Sequence, residues 1–136
     1  MVFDRCRELI DCVMIARDEI TDLLRLEIDA IIDPAARQAL QLLLIDPIPL
    51  RCKWDYGAWE PGREGVTFAC WKLARDNRSG LAILHCEDGF GPKCPYVLVW
   101  DQDQTPSTGP DSSWFSTFRE AAADVLGMPH ELFNLK

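Results

Sequence analysis

The densest collection of reactive residue types in this chain is the segment His85-Cys86-Glu87-Asp88-Gly89-Phe90-Gly91-Pro92-Lys93-Cys94-Pro95. Zinc prefers thiolate and imidazole ligands, so His85, Cys86 and Cys94 form a candidate metal site. Cys52 or Cys70 could complete this site from a neighbouring strand. The segment contains no Cys-x-x-Cys pair, however, and adjacent residues such as His85 and Cys86 point to opposite faces of a strand.

A second interpretation of the same segment is a catalytic thiol, with Cys86 or Cys94 activated by a histidine. His85 faces away from its neighbour Cys86, and the carboxylates of Glu87 and Asp88 would raise the pKa of a nearby thiol. A third interpretation is structural, with buried thiols acting as small apolar groups. We favour the third interpretation, which predicts no metal, no cofactor and no catalytic residue here.

Four segments rich in β-branched and aromatic residues predict the strands that would position these side chains. They are residues 50–54, 66–73, 81–86 and 96–100. Alternation places Phe68, Cys70 and Lys72 on one face of the second strand, with Trp71 and Leu73 on the other. Residues 75–80 predict a hairpin turn, and residues 102–113 predict a polar surface loop.

The first 46 residues contain neither glycine nor tryptophan, and their pattern is helical. Asp33-Pro34 predicts the start of a second helix, which would end near Ile45. Thr117 and Glu120 have capping-box spacing at the start of a final helix. The first helix has a broad apolar face, which comprises Cys6, Leu9, Ile10, Val13, Ala16, Ile20, Leu23, Leu24, Ile28 and Ile31.

These elements predict a single α+β domain over residues 1–136, in the order α-α-β-β-β-β-α. Residues 1–46 would form an N-terminal helical hairpin. Residues 47–136 would form a four-stranded antiparallel sheet followed by a C-terminal helix. The helices are expected to cover one face of the sheet.

The charge balance restricts the partners that the protein could bind. Fourteen Lys and Arg stand against 22 Asp and Glu, for a formal net charge of -8. Such a charge disfavours nucleic acid and anionic membranes, because both would be repelled. The N-terminus lacks the features of a signal peptide, and no apolar run is long enough to cross a membrane. We therefore expect a cytoplasmic protein that binds neither nucleic acid nor membrane.

Opposite its apolar face, the first helix has an acidic stripe formed by Asp4, Glu8, Asp11, Asp18, Asp22 and Asp29. This stripe and the aromatic residues of the loops predict a surface for a basic protein partner. Carboxylates would steer the partner towards the surface, and tryptophan and tyrosine would anchor it. The candidate partner-binding residues are Asp11, Asp18 and Asp22 for steering, with Tyr56, Trp59 and Trp114 as anchors.

The sequence therefore favours a small acidic protein-binding module rather than an enzyme. Its organisation is similar to that of small acidic immunity proteins in general, which would make it an inhibitor that neutralises a toxin, although no motif identifies a particular family. One alternative is an enzyme or metal-binding protein with its site at residues 85–94. Another is a structural protein that forms a homodimer through its N-terminal helix.

Overall fold

Helices and strands of the computed structural model are assigned over residues 15–55, 66–87, 89–90, 93–109 and 112–135, which are the residues the structure describes. The helices are α1 (Arg17–Asp29), α2 (Pro34–Leu43) and α3 (Phe118–Leu126), followed by a short 3-10 helix (His130–Phe133). The strands are β1 (Leu44–Trp54), β2 (Thr67–Asp76), β3 (Leu81–His85), β4 (Tyr96–Trp100), β5 (Ser107–Thr108) and β6 (Trp114–Phe115). The class predicted from the sequence, α+β, is confirmed.

Side-chain and glycine caps fix the ends of the later helices. The Asp33 carboxylate accepts the Ala36 N–H at 3.2 Å, and Pro34 follows as the first residue of α2. Thr117 Oγ1 accepts the Glu120 N–H at 3.2 Å, as the capping-box spacing predicts. Gly127 ends α3 in the left-handed conformation, with φ 65°.

The sheet has six strands and is mixed, which corrects the predicted four-stranded antiparallel sheet. Its order is β5-β1-β2-β3-β4-β6. The four predicted strands do form an antiparallel ladder from β1 to β4. The additional strands are two residues long, and β5 lies parallel to β1. β5 falls inside the predicted loop 102–113 and β6 directly follows it; neither was predicted, because two residues carry no alternation pattern.

β1 begins at Leu44, so α2 is shorter and β1 longer than predicted. Pro47 and Pro49 lie inside this strand rather than in a corner. β5 pairs only with Lys53 and Trp54, which leaves the earlier part of β1 as a sheet edge. Proline is tolerated at such an edge, because the missing N–H has no ladder partner there.

A short link between β5 and β6 requires the sheet to curl. These strands lie at opposite edges, yet only residues 109–113 separate them. Five strand spacings in a flat sheet would hold them about 24 Å apart. Six fully extended residue steps reach only about 21 Å. The two edges therefore approach each other, and the rings of Trp54 in β1 and Trp114 in β6 have centroids 6.3 Å apart.

The two faces of the sheet carry separate cores. The core between the sheet and the helices, here called the helix-side core, contains Trp71, Leu73, Ile83 and Tyr96 from the sheet, with Leu24, Leu40, Phe118 and Phe133 from the helices. The core on the concave face, here called the thiol-side core, contains Cys52, Trp54, Phe68, Cys70, Ala82, Leu84, Cys86, Val97 and Val99. The predicted alternation in β2 is confirmed, since Phe68 and Cys70 lie on one side and Trp71 and Leu73 on the other.

Two further predictions concern α1. Ile20, Leu24 and Ile28 are buried as expected, but Leu23 is 52% exposed, so its placement on the buried face is wrong. The buried stripe of α1 is narrower than the apolar pattern, because the helix touches the core along one line only.

In the described part of the chain no helix combines the length and the apolar character needed to cross a membrane.

Candidate functional site

Three cysteines from three strands meet in the thiol-side core. The sulfur atoms of Cys52, Cys70 and Cys86 all lie within 4.8 Å of one another. All three residues are buried and none is in a disulfide. The Cys70 thiol donates to the Leu50 carbonyl at 3.5 Å, and Cys52 Sγ lies 3.6 Å from Thr108 Oγ1. We refer to these three side chains as the thiol cluster.

Strand register and curvature explain why these thiols converge. Trp71 pairs with His85 across β2 and β3, which places Cys70 opposite Cys86 on the other face. Cys52 lies two residues beyond the pairing partner of Cys70 in β1, on the same face. The curl of the sheet then brings β1 towards β3 above β2. Sequence spacing alone does not show this convergence, because the three cysteines are 18 and 16 residues apart.

The three thiols differ in acidity because they share hydrogen bonds. Hydrogen bonds from the Cys70 and Cys86 thiols stabilise a thiolate on Cys52 and lower the pKa of that group. The interaction with Cys52 raises the pKa of Cys70. Burial raises the pKa of Cys86 well above its ordinary value. The shared hydrogen bonds therefore lower the pKa of Cys52 and raise those of its two neighbours.

The structure places His85 on the helix side, away from the thiol cluster. Its ring meets the ring of Tyr96 edge-on, with centroids 5.1 Å apart. Burial lowers the pKa of His85 to about 4, so the imidazole is neutral at pH 7. Burial, followed by the nearby carboxylates of Glu27 and Glu87, raises the pKa of Tyr96. His85 and Cys86 thus serve different cores.

The other residues of the 85–94 segment do not join Cys86. Cys94 is half-buried and is not part of the thiol cluster. Glu87 is half-buried, and its charge acts on Tyr96 on the helix side. Asp88 lies outside the described residues. The cysteines that do join Cys86 are Cys52 and Cys70, the pair that the sequence offered only as additional ligands.

The predicted steering residues of α1 that fall in the described part are on the surface. Asp18 and Asp22 are both exposed, and Asp22 forms one ion pair with Arg25 at 3.5 Å. Leu23 and Leu26 are exposed beside them, at 52% and 68%. α1 therefore presents carboxylates and apolar groups together. Asp11 lies outside the described residues.

Among the predicted aromatic anchors, Trp114 is described, and it is half-buried. Its indole N–H donates to the Gly109 carbonyl at 2.8 Å, and its ring stacks on Phe90 with centroids 5.8 Å apart. These contacts make it a cover for the thiol-side core. Tyr56 and Trp59 lie outside the described residues.

Trp100, which the sequence did not single out, is the exposed tryptophan among those that the structure describes. It is 57% exposed and lines a cleft of about 470 Å³ at the edge of β4. Asp103 and Asp124 line the same cleft. Neither carboxylate forms an ion pair with any residue that the structure describes. The one sequence signal for the exposure of Trp100 is its position as the last residue of the predicted strand 96–100.

Comparisons of the chain with protein-family models, with characterised proteins and with solved structures found no match.

Proposed function

We propose that the protein is a binding module for a basic protein partner, and that the cleft beside Trp100 receives a lysine or arginine side chain of that partner. The observation that carries the proposal is an exposed indole in the same cleft as two carboxylates that form no ion pair with any described residue. An indole face attracts a cation through its quadrupole, and tryptophan is enriched at binding hot spots. Asp103 and Asp124 add charge complementarity.

The chemistry of the surrounding surface supports this choice of partner. The formal net charge of -8 attracts a basic protein at long range. Asp101, next to the cleft, is already occupied, because its carboxylate contacts Lys72 Nζ at 2.8 Å and Arg75 Nε at 3.5 Å. Asp103 and Asp124 are therefore the carboxylates that remain for a ligand cation.

Paired peptides test the cleft directly. A short peptide with one central arginine is titrated into isotope-labelled protein and compared with the same peptide carrying citrulline, which keeps the shape but removes the charge. We expect the indole N–H resonance of Trp100 and the amides of Asp103 and Asp124 to shift with arginine only. Equal shifts with citrulline, or no shift of these resonances, would contradict the proposal.

Substitutions separate the cleft from general electrostatics. Trp100→Ala and the double change Asp103→Asn/Asp124→Asn should each abolish the arginine-specific shifts. Asp46→Asn is the matched control, since Asp46 is an exposed carboxylate that does not line the cleft. If Asp46→Asn lost the arginine-specific shifts to the same extent as the cleft variants, the interaction would depend on net charge and not on the cleft.

The more specific form of the proposal is an inhibitor or immunity protein that neutralises a basic toxin. In that form Asp18 and Asp22 steer the encounter. The test is association with the purified product of the neighbouring gene, since an immunity protein is encoded beside its toxin. Asp18→Lys/Asp22→Lys should slow association and weaken its dependence on salt, with little change in dissociation. An association rate that is the same for this variant and the parent protein would argue against steering by α1.

A homodimer through α1 is the competing use of the same helix. The exposed side chains of Leu23 and Leu26 favour it, because large apolar groups side by side on a helix are typical of an interface. Sedimentation over a wide concentration range distinguishes the two uses. A dimer that Leu26→Lys dissociates would assign this surface to a second copy of the chain.

A further inference from the structure

We propose that the thiol cluster, Cys52, Cys70 and Cys86, binds one soft trivalent ion of the arsenic(III) type through three thiolate sulfurs. This inference is independent of the partner-binding cleft. It starts from donor atoms that are already assembled, since the three sulfurs lie within 4.8 Å of one another on three strands of one sheet. Thiolate sulfur selects soft ions over hard ones.

The number of donors favours a three-coordinate ion. Within the described residues no fourth cysteine, histidine or carboxylate belongs to the cluster, because His85 lies on the other face and Cys94 lies outside it. Structural zinc sites are almost always four-coordinate. Arsenic(III), in contrast, binds three sulfurs in a pyramid and keeps a lone pair at the fourth position. The cluster matches this requirement.

The net charge of the complex also favours a trivalent ion. Three thiolates leave a net charge of minus one with a divalent ion, but none with a trivalent ion. The described neighbours of the cluster are mainly apolar, among them Phe68, Leu84 and Val97. Burying a net charge in such surroundings is costly unless it is paired. A neutral complex avoids that cost.

The basic groups near the cluster do not compensate a charged complex. Arg51 is the cation whose charge reaches Cys70, and it is exposed and bound to the hydroxyl and carbonyl of Thr67. Lys72 lies on the same face of β2, but its ammonium contacts both the carboxylate and the carbonyl of Asp101. The preference for a neutral complex therefore stands.

The binding step balances without an oxidant or a reductant. Arsenous acid carries three hydroxyl groups, and each is replaced by one thiol of the cluster. Three As–O bonds break, three As–S bonds form, and each thiol proton leaves with a hydroxyl as water. Arsenic remains in the trivalent state. Arsenous acid is uncharged at neutral pH, so its entry into an apolar core needs no desolvation of an ion.

The experiment uses the full chain with Cys6, Cys12 and Cys94 replaced by serine, which leaves the three cluster thiols. This variant is incubated with arsenite, separated from free arsenite and examined by native mass spectrometry. We expect one arsenic per chain, with the mass loss of three protons, and a higher Tm. Folded protein that retains no arsenic, or retains it with the loss of two protons, overturns the proposal.

Two comparisons test the donor set and the charge argument. Cys70→Ala in the same background should weaken arsenite binding by more than about 100-fold, because loss of an outer-shell partner alone costs about 10–100-fold at a metal site. Cys86→Ala serves equally if Cys70→Ala does not fold. Cadmium and zinc should bind the three-thiol variant more weakly than arsenite does. Tighter binding of cadmium would overturn the choice of a trivalent ion.

Discussion

The two faces of the sheet are built from the same strands but are covered in different ways. On the helix side, regular helices bring Leu24, Leu40 and Phe118 onto Trp71 and Tyr96. On the thiol side, the described cover includes Thr108 of the two-residue strand β5 and the ring of Trp114, which stacks on Phe90. One face therefore gains its stability from packing between layers, while the other has small thiols at its centre and aromatic rings at its rim.

Substitutions in the two cores are expected to change different properties of the protein. Large side chains fill the helix-side core, where a lost methylene leaves a cavity. Cysteine side chains are small, so the thiol-side core loses little packing if one is replaced, but it loses a donor atom. We therefore expect substitutions on the helix side to change mainly the free energy of unfolding, and those in the thiol cluster to change mainly ligand binding.

The largest expected effect is that of Phe118→Ala on the helix side. Phe118 is fully buried, and its ring meets Tyr96 edge-on with centroids 6.2 Å apart. Truncation should lower the free energy of unfolding by about 3–5 kcal/mol, through lost burial and a cavity. Urea denaturation measures this, with Cys70→Ala as the matched change on the thiol side. Equal losses in the two variants would remove the contrast between the faces.

The next effect is pH-dependent and belongs to His85. Its pKa is lowered to about 4 in the folded protein, from 6.5, because of burial. Between these values the unfolded chain binds a proton that the folded chain does not, so this stability is complete above about pH 6.5 and is lost as the pH falls towards 4. The shift corresponds to roughly 3 kcal/mol.

His85→Phe checks this assignment, since it keeps an aromatic ring against Tyr96 but removes the titrating group. The variant should lose less stability than the parent protein between pH 7 and pH 4 in urea denaturation. Glu27 acts in the opposite direction, because burial raises its pKa and its contribution falls as the pH rises through that pKa. An unchanged pH profile in His85→Phe would show that other groups cause the acid sensitivity.

A smaller effect is expected for Gly89→Ala at the rim of the thiol side. A Cβ at this position would lie 2.4 Å from an atom of the Trp114 ring, so the ring must shift. Overpacking of this kind costs about 1–3 kcal/mol. A double-mutant cycle with Trp114→Phe measures the coupling. If the cost of Gly89→Ala is the same in both backgrounds, Trp114 is not the ring that it displaces.

The smallest effect concerns the cap of α3. Thr117→Ala removes the acceptor for the Glu120 N–H and should lower stability by about 1 kcal/mol. Thr117→Ser keeps the acceptor and is the control. A loss as large as that of Phe118→Ala would mean that helix formation, rather than packing, limits the helix side.

Local signals predicted much of the fold. The caps at Asp33 and Thr117 and strand β4 follow from residue types whose conformations are set by their near neighbours. The early start of β1 was not predicted. Proline is compatible with a strand only where the sheet leaves one side unpaired, and that depends on the position of β5. Local pattern cannot supply such information.

The candidate sites were predicted less completely, and for the same reason. The alternation rule placed His85 and Cys86 on opposite faces, and the structure agrees. The convergence of Cys52 with Cys70 and Cys86 depends on the curl of the sheet, which no single strand encodes. The exposure of Trp100 likewise depends on how far the short β6 extends along β4, since β6 pairs only with Tyr96 and Val97.

The short link between β5 and β6 also has a consequence for the order of folding. It holds β5 against β1, which lies far away in the sequence, and contacts of large sequence separation form slowly. We therefore expect the link to reach its final position late in folding. Until then the concave face lacks the cover of Thr108 and Trp114, and the three core thiols are open to solvent. We therefore expect oxidants and soft ions to react with these three thiols faster in the refolding chain than in the folded protein, which encloses them.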